Sequence, residues 1–540
     1  MPTQSVAFSS FEGSLRDLLH LSAPLGVDPD DAFRQLDYLE AYLRDDEISC
    51  SLVATEAHYI DRDFMEDFSV FYSRSLSNLD NYCRRLHFFR GDSARVEQEF
   101  RKLALSRRSL GVELHRRRSA RFSRKHYLGF AVIKPLPGTP VGRTALRSFP
   151  ENPGPGPGKR RMTRSFAATR QYHAHLLGVE LSVQSLAFQQ QDVGVAACAT
   201  TAIWTSLQKN REKEELGVTT PAHITTRATH NRMPFGRSMP SEGLSIDQMC
   251  QAIQSFGLSP VLSPAKDFIA IRAALYAALQ SDLSPVLVIQ RDKAGRTDEY
   301  HAVSAVGMKL SADAQAVVQA DYAQASDHLE ALYIHDDRYG PFLLAGLSQR
   351  VGGGVDLNIR VLKLEREIDR NTGEISINGE DETEQWIISH VLIPSHAKLR
   401  LSFPELHELS LRVMEAIDAS LNSRQPNKTF AKSLDFWVSR SNTYLDRIGS
   451  STEPFSPSQA VAVASGVPMA RYVGILRTAI AELGTVDVIV DTTSTDKNPV
   501  FLAGVCSAGC SDELESVVAA LGRHWGFQVF LADKKKSAPT

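Results

Sequence analysis

The sequence predicts an α+β protein built from several units, and three observations carry that expectation. At 540 residues the chain is long enough for about three or four domains. Its hydrophobic fraction of 43% supplies apolar material for several cores. In the middle third, helical spacing of apolar residues comes first and β-branched runs follow, an order typical of segregated helices and strands.

The strongest punctuation is PENPGPGPGKRR, where alternating Pro and Gly sustain neither helix nor central strand. It divides an N-terminal mixed α/β domain, residues 1–149, from the rest, with 150–162 as linker or exposed loop. Within 1–149, Phe11–Leu19 and Asp31–Leu43 show helical spacing. The basic stretch from Arg95 to Arg118 reads as one helix, and His126–Leu136 as a strand ending near Pro135. Residues 163–352 form the central domain. Cys198–Gln208, Ile246–Phe256 and Phe268–Leu279 read as helices, the second starting after Ser245 and stopping at Gly257. Pro285–Gln290, His301–Met308 and Ala331–His335 read as strands. A C-terminal mixed α/β domain spans 353–540. Gln385–Ile393, Lys398–Phe403, Val486–Val490 and Phe527–Leu531 are its expected strands, and Leu406–Leu421 and Phe430–Ile448 its expected helices.

Charge and cysteine usage narrow the function. A formal net charge of −3 gives no global field toward nucleic acid or acidic lipid. The basic run HRRRSARFSRKH holds one Phe and reads as a solvated face. Six scattered cysteines do not form a disulfide framework, which suits a reducing compartment. No signal peptide and no membrane span are expected, so the chain reads as cytoplasmic. Cys506 and Cys510, and His173 with His175, are pairs without the further ligands that zinc needs; no metal or cofactor is expected. Nothing in the sequence fixes an oligomeric state.

The chemistry gathers around Cys198, at the predicted start of a helix. A helix N-terminus favours a thiolate through its partial positive charge and free N–H groups. Gln189, Gln190 and Gln191 lie just upstream, where an amide can serve a developing oxyanion. His301 opens an apolar run, which places an imidazole at a strand start beside a cleft. Asp336 and Asp337 end another strand, where a carboxylate can orient that imidazole. His335 is a weaker rival base.

Taken in order, Gln191, Cys198, EGLSIDQMCQAIQSFGL, PVLVIQ…EYHAVSAVG and LYIHDDRYGPF resemble the papain-like cysteine peptidases. Within them the pieces are most similar to the compact bacterial branch that includes the double-glycine leader peptidases. The resemblance covers about residues 184–345. It implies a central domain in which a Cys-bearing helix packs on an antiparallel sheet. It implies a Cys198–His301–Asp336 triad with Gln191 at the oxyanion, Gln190 and Asp337 as alternates, and a protein or peptide substrate. An acyltransferase of the same fold and an inactive protein-binding scaffold are the other readings. Two departures stand out: the family's Gln usually lies six positions before the Cys, where this chain has Asp192, and Ala197 and Ala199 replace its usual neighbouring Gly.

Overall fold

The computed structural model describes residues 6–21, 29–74, 79–108, 111–136, 138–151, 163–192, 198–214, 216–217, 219–230, 243–291, 299–311, 322–368, 375–426, 428–496 and 498–532. The protein is α+β, with three sheets of five or more strands.

The N-terminal region contains β1 (Val6–Ser10), α1 (Leu15–Leu19), α2 (Pro29–Arg44), β2 (Cys50–Tyr59), α3 (Arg62–Val70), β3 (Cys83–Arg90), α4 (Ser93–Leu105), α5 (Val112–His126), β4 (Tyr127–Ile133) and β5 (Val141–Leu146). The strands pair antiparallel in chain order. Period-two alternation buries both faces. Val53, Leu86, Ala131 and Ile133 meet the cluster that holds Leu36, Leu39 and Leu43 of α2. Leu52, Ala54, Phe130 and Val132 meet Phe100 of α4 and Phe122 of α5. The basic stretch from Arg95 is therefore two helices rather than one. The first frays through a 3-10 turn at Ser106–Arg108, and Gly111 begins the second.

The central region runs through β6 (Thr163–Ser165), β7 (Arg170–Leu176), β8 (Val179–Ser185), α6 (Cys198–Glu214), α7 (Pro221–Ala228), α8 (Ile246–Ser255), β9 (Ser259–Pro264), α9 (Phe268–Gln280), β10 (Val286–Arg291), β11 (Glu299–Leu310), β12 (Tyr322–Gln324), β13 (Leu329–Asp336), β14 (Gly340–Gln349), β15 (Val355–Ile368) and β16 (Ile375–Ser395). Strands β10, β11, β13, β14, β15 and β16 follow one another, and β16 pairs back onto β10, closing an antiparallel ring. β9 adds to β16 and β6 to β11. The expected boundary at 353 thus falls at the turn between β14 and β15, inside this ring, because both strands are needed to close it. Helix α8 starts after Ser245 as expected, and the structure adds a capping box between Ser245 and Gln248. Residues 152–162 of the linker and residues 312–321 lie outside the described residues.

The C-terminal region adds α10 (Phe403–Arg424), β17 (Lys432–Arg440), α11 (Ser441–Ile448), α12 (Pro457–Gly466), β18 (Tyr472–Ile480), β19 (Gly484–Asp491), β20 (Phe501–Cys506), α13 (Asp512–Trp525) and β21 (Gln528–Phe530). Its sheet has the order β12-β17-β18-β19-β20-β21. Two expectations fail here. Phe430–Ile448 is not one helix: Phe436 and Val438 face one core while Trp437 faces another, a strand period, and only Ser441–Ile448 is helical. Lys398–Phe403 is not a strand: Lys398 is left-handed at φ 74, and Ser402 caps α10 through a box with Glu405.

The turn between β13 and β14 is gripped by α2. Tyr38 donates its hydroxyl to Pro341 O at 2.9 Å, and a Cβ at Gly340 would lie 2.0 Å from the Tyr38 ring. Gly340→Ala should therefore lower stability by about 1–3 kcal/mol through overpacking, seen as a lower urea midpoint. An unchanged midpoint would mean that α2 does not clamp this turn.

Candidate active site

Helix α6 is buried on nearly every side for most of its length, and polar side chains such as Thr200, Ser206 and Gln208 are buried along with its apolar ones. Trp204 and Leu207 are fully buried between the N-terminal sheet and the ring. Two hydroxyls fix its height against the ring. Ser304 Oγ on β11 donates to Ala202 O at 2.7 Å, and Ser206 Oγ donates to Ser284 O before β10. Cys198, one turn before Ala202, then lies level with His301, three residues before Ser304.

The structure brings these two side chains together. The Cys198 thiol is within hydrogen-bonding reach of the His301 imidazole. On its other side, His301 Nε2 lies 2.9 Å from Asp336 Oδ1 and 3.4 Å from Asp337 Oδ1. Nδ1 is thus the ring nitrogen left for the sulfur. Cys198 is half-buried, whereas His301 and both aspartates are buried.

Asp336 is over-determined. Its Oδ1 accepts from Arg338 N at 3.0 Å and Arg338 Nε at 3.1 Å, and its Oδ2 from Arg338 Nη2 at 2.7 Å. Burial alone would raise its pKa, but His301 and Arg338 hold it far below the usual carboxylate range. Burial alone would lower His301, yet Asp336, Asp337 and the thiol lift it well above its ordinary value. Asp337 differs: its carboxylate oxygens take no hydrogen bond among the described residues. Burial, reinforced by Asp336, pushes its pKa up to about 6. Asp336 is the carboxylate at hydrogen-bond distance from the imidazole, and Asp337 a second, poorly satisfied one beside it.

Three residues at this site were not singled out from the sequence. The Trp386 ring, itself buried, lies 6.0 Å from the His301 ring and screens the imidazole–carboxylate contact from water. Glu384 holds Trp386 Nε1 at 2.9 Å and Tyr339 OH at 2.8 Å. Arg338 lies over Trp386 at 4.7 Å and pairs with Glu384 at 3.4 Å. An Arg two residues after Asp336 was the available signal. Trp386 had none, because β16 pairs with β15 and β10 and, among the described residues, not with β11, so no local pattern ties it to His301.

The upstream amides separate. Gln190 accepts from Val141 N at 3.1 Å and donates to Gly138 O at 3.2 Å, so its side chain serves the turn between β4 and β5 rather than the cleft. Asp192 is buried, 3.7 Å from Lys134 Nζ and hydrogen-bonded by Tyr72. Gln191 is half-buried in the same segment, and 193–197 lie outside the described residues. The approach to Cys198 is thus stitched to the N-terminal sheet, with Thr144 and Phe188 exchanging both backbone bonds. His335 points into an aromatic pocket, its ring 4.8 Å from Phe342 and 5.8 Å from Phe188. Burial drives its pKa down to about 3. It is a core histidine, not a rival base.

His301, Asp336 and Asp337 offer donor atoms within 4.8 Å of one another, the one such group of three among the described residues. Arg338 already sets a positive charge against Asp336, and three donors fall short of a closed zinc site. Cys506 and Cys510 are buried thiols, and His173 pairs with Glu180 at 2.9 Å. All six cysteines are free, and among the described residues no helix is long and apolar enough to cross a membrane.

No family model matches this chain, and no curated protein matches it.

Asp337 gives a pH test. Its folded pKa of about 6 exceeds the roughly 3.9 of an unfolded aspartate, so ionising it costs stability as pH rises through that interval. Asp337→Asn should stabilise the chain by about 1–3 kcal/mol at neutral pH and by much less near pH 4. A variant that is less stable at neutral pH would contradict this sign.

Proposed function

We propose that this chain is a papain-like thiol hydrolase that cleaves a protein or peptide amide through Cys198, His301 and Asp336. One observation carries the reading: a single imidazole is shared between a thiol at a helix N-terminus and a buried carboxylate fixed by an arginine. That is the nucleophile–base–orienter sequence of covalent catalysis.

In this reading the Cys198 thiolate attacks the amide carbonyl carbon, forming a C–S bond. The electron pair moves to the oxygen, which the Cys198 N–H and Gln191 hold. Collapse breaks the C–N bond, and His301 gives its proton to the departing amine. Water, deprotonated by the same ring, then attacks the thioester and releases the acid and Cys198. Asp336 keeps the imidazole in one orientation throughout, and Trp386 keeps water from the pair. An amine in place of water makes the same machinery an acyltransferase.

Labelling by iodoacetamide tests the reading. One cysteine should react far faster than the rest and be absent in Cys198→Ala. His301→Ala should slow that reaction by roughly 100-fold or more, as expected for loss of a general base. Six slow, equivalent cysteines would favour an inactive scaffold.

A further inference from the structure

A groove of about 660 Å3 opens at the same end of the ring as His301, lined by Lys266, Gln290, Arg350, the glycines 352–354 and His390. Strand register fixes its distance from the candidate triad. His301 pairs with Ile289, and Ile289 pairs with Ile388 of the groove wall. Ile388 pairs in turn with Val355 beside the glycine turn, and His390 with Pro264 beside Lys266. Three strand spacings of roughly 4.8 Å make about 14 Å, which an extended peptide covers in about four residues. Gln290 pairs with Tyr300, the exposed residue immediately before His301, so the two side chains share the face on which Val288 and Ala302 meet α6, the helix that carries Cys198.

The groove's charge has one sign. Lys266, Arg350 and His390 line it, and no carboxylate does. Lys266 is exposed and makes no ion pair among the described residues. Arg350 pairs with Asp356 at 3.8 Å, and Asp356 is not itself among the residues that line the groove. The three glycines all have positive φ, a turn that lets the backbone run close to Ala265 and Lys266 with no side chain filling the floor.

Resting on the thiol-hydrolase reading, we propose that this groove is a substrate subsite for an acidic side chain about four residues from the bond attacked at Cys198. Its ligand chemistry is a carboxylate pairing with Lys266 and Arg350. The chain then selects peptides by a charge set at a fixed distance from the scissile amide.

The test uses three peptidyl epoxides on the full-length chain, and the rate of Cys198 alkylation is read by mass spectrometry. Two are C-terminally amidated and differ only in Asp or Lys four residues beyond the epoxide. The third is neutral with a free C-terminal carboxylate at that distance. The Asp probe should react at least about tenfold faster than the Lys probe, consistent with a charge-assisted contact. Lys266→Glu and Arg350→Glu should each abolish the preference. Equal rates for the Asp and Lys probes, while iodoacetamide still labels Cys198 selectively in the unsubstituted chain, overturn the subsite and leave the hydrolase reading standing. A free-carboxylate probe that outpaces the Asp probe overturns the side-chain assignment. Loss of selective iodoacetamide labelling overturns the hydrolase reading and the subsite with it.

Discussion

The seating of helix α6 on strand β11 is the constraint from which the rest of the site follows. A helix packed on all sides has no freedom to slide, because protein interiors are close-packed and a shift of one residue would expose a buried face. Ser304 and Ser206 remove what freedom remains by donating to fixed carbonyls. Neither hydroxyl performs chemistry. Together they set the height at which the thiol of Cys198 meets the ring of His301. Closure of the strand ring by β10 and β16 then holds His301, Asp336 and Trp386 at one end of a single rigid element.

Inside that frame the electrostatics oppose one another in a defined way. Burial penalises every charge, so an isolated imidazolium or carboxylate would neutralise. The site avoids this by packing Asp336 between His301 and Arg338, each partner lowering the cost of the other. Asp337 has no comparable partner, and its raised pKa is the residue of that imbalance. A second carboxylate next to His301 adds positive bias to the imidazole but leaves its own oxygens unsatisfied, the kind of local cost found at functional sites. The N-terminal region takes part as well, since Lys134, Tyr72 and the Gln190 contacts anchor the segment that leads into Cys198.

Much of this geometry was legible in the sequence for physical reasons. Cys198–Gln208 holds no Gly or Pro to break α6, and Ser245 and Gly257 bracket α8 as a local start and stop. His301 and Asp336 stand where β-branched runs begin and end. The parts that were not legible depend on distant pairing. Trp386 sits on β16, which pairs with β15 and closes the ring onto β10, so no local pattern ties it to His301. Gln190 and Gln191 are indistinguishable by type, and the β4–β5 turn alone separates their roles. Phe430–Ile448 misled because FWV mixes two cores at period two beside a true helical turn. The boundary at 353 misled because the Gly-rich turn there marks a hairpin, not the end of a unit.

The central claim is spatial: one sulfur and one imidazole, far apart along the chain, face each other. Treatment with the bis-electrophile 1,3-dibromopropan-2-one, followed by peptide mass spectrometry, addresses it directly. A three-carbon bridge joining Cys198 to His301 is the result this account predicts. Cys198 alkylated at one end only, or bridged to some other residue, would contradict it.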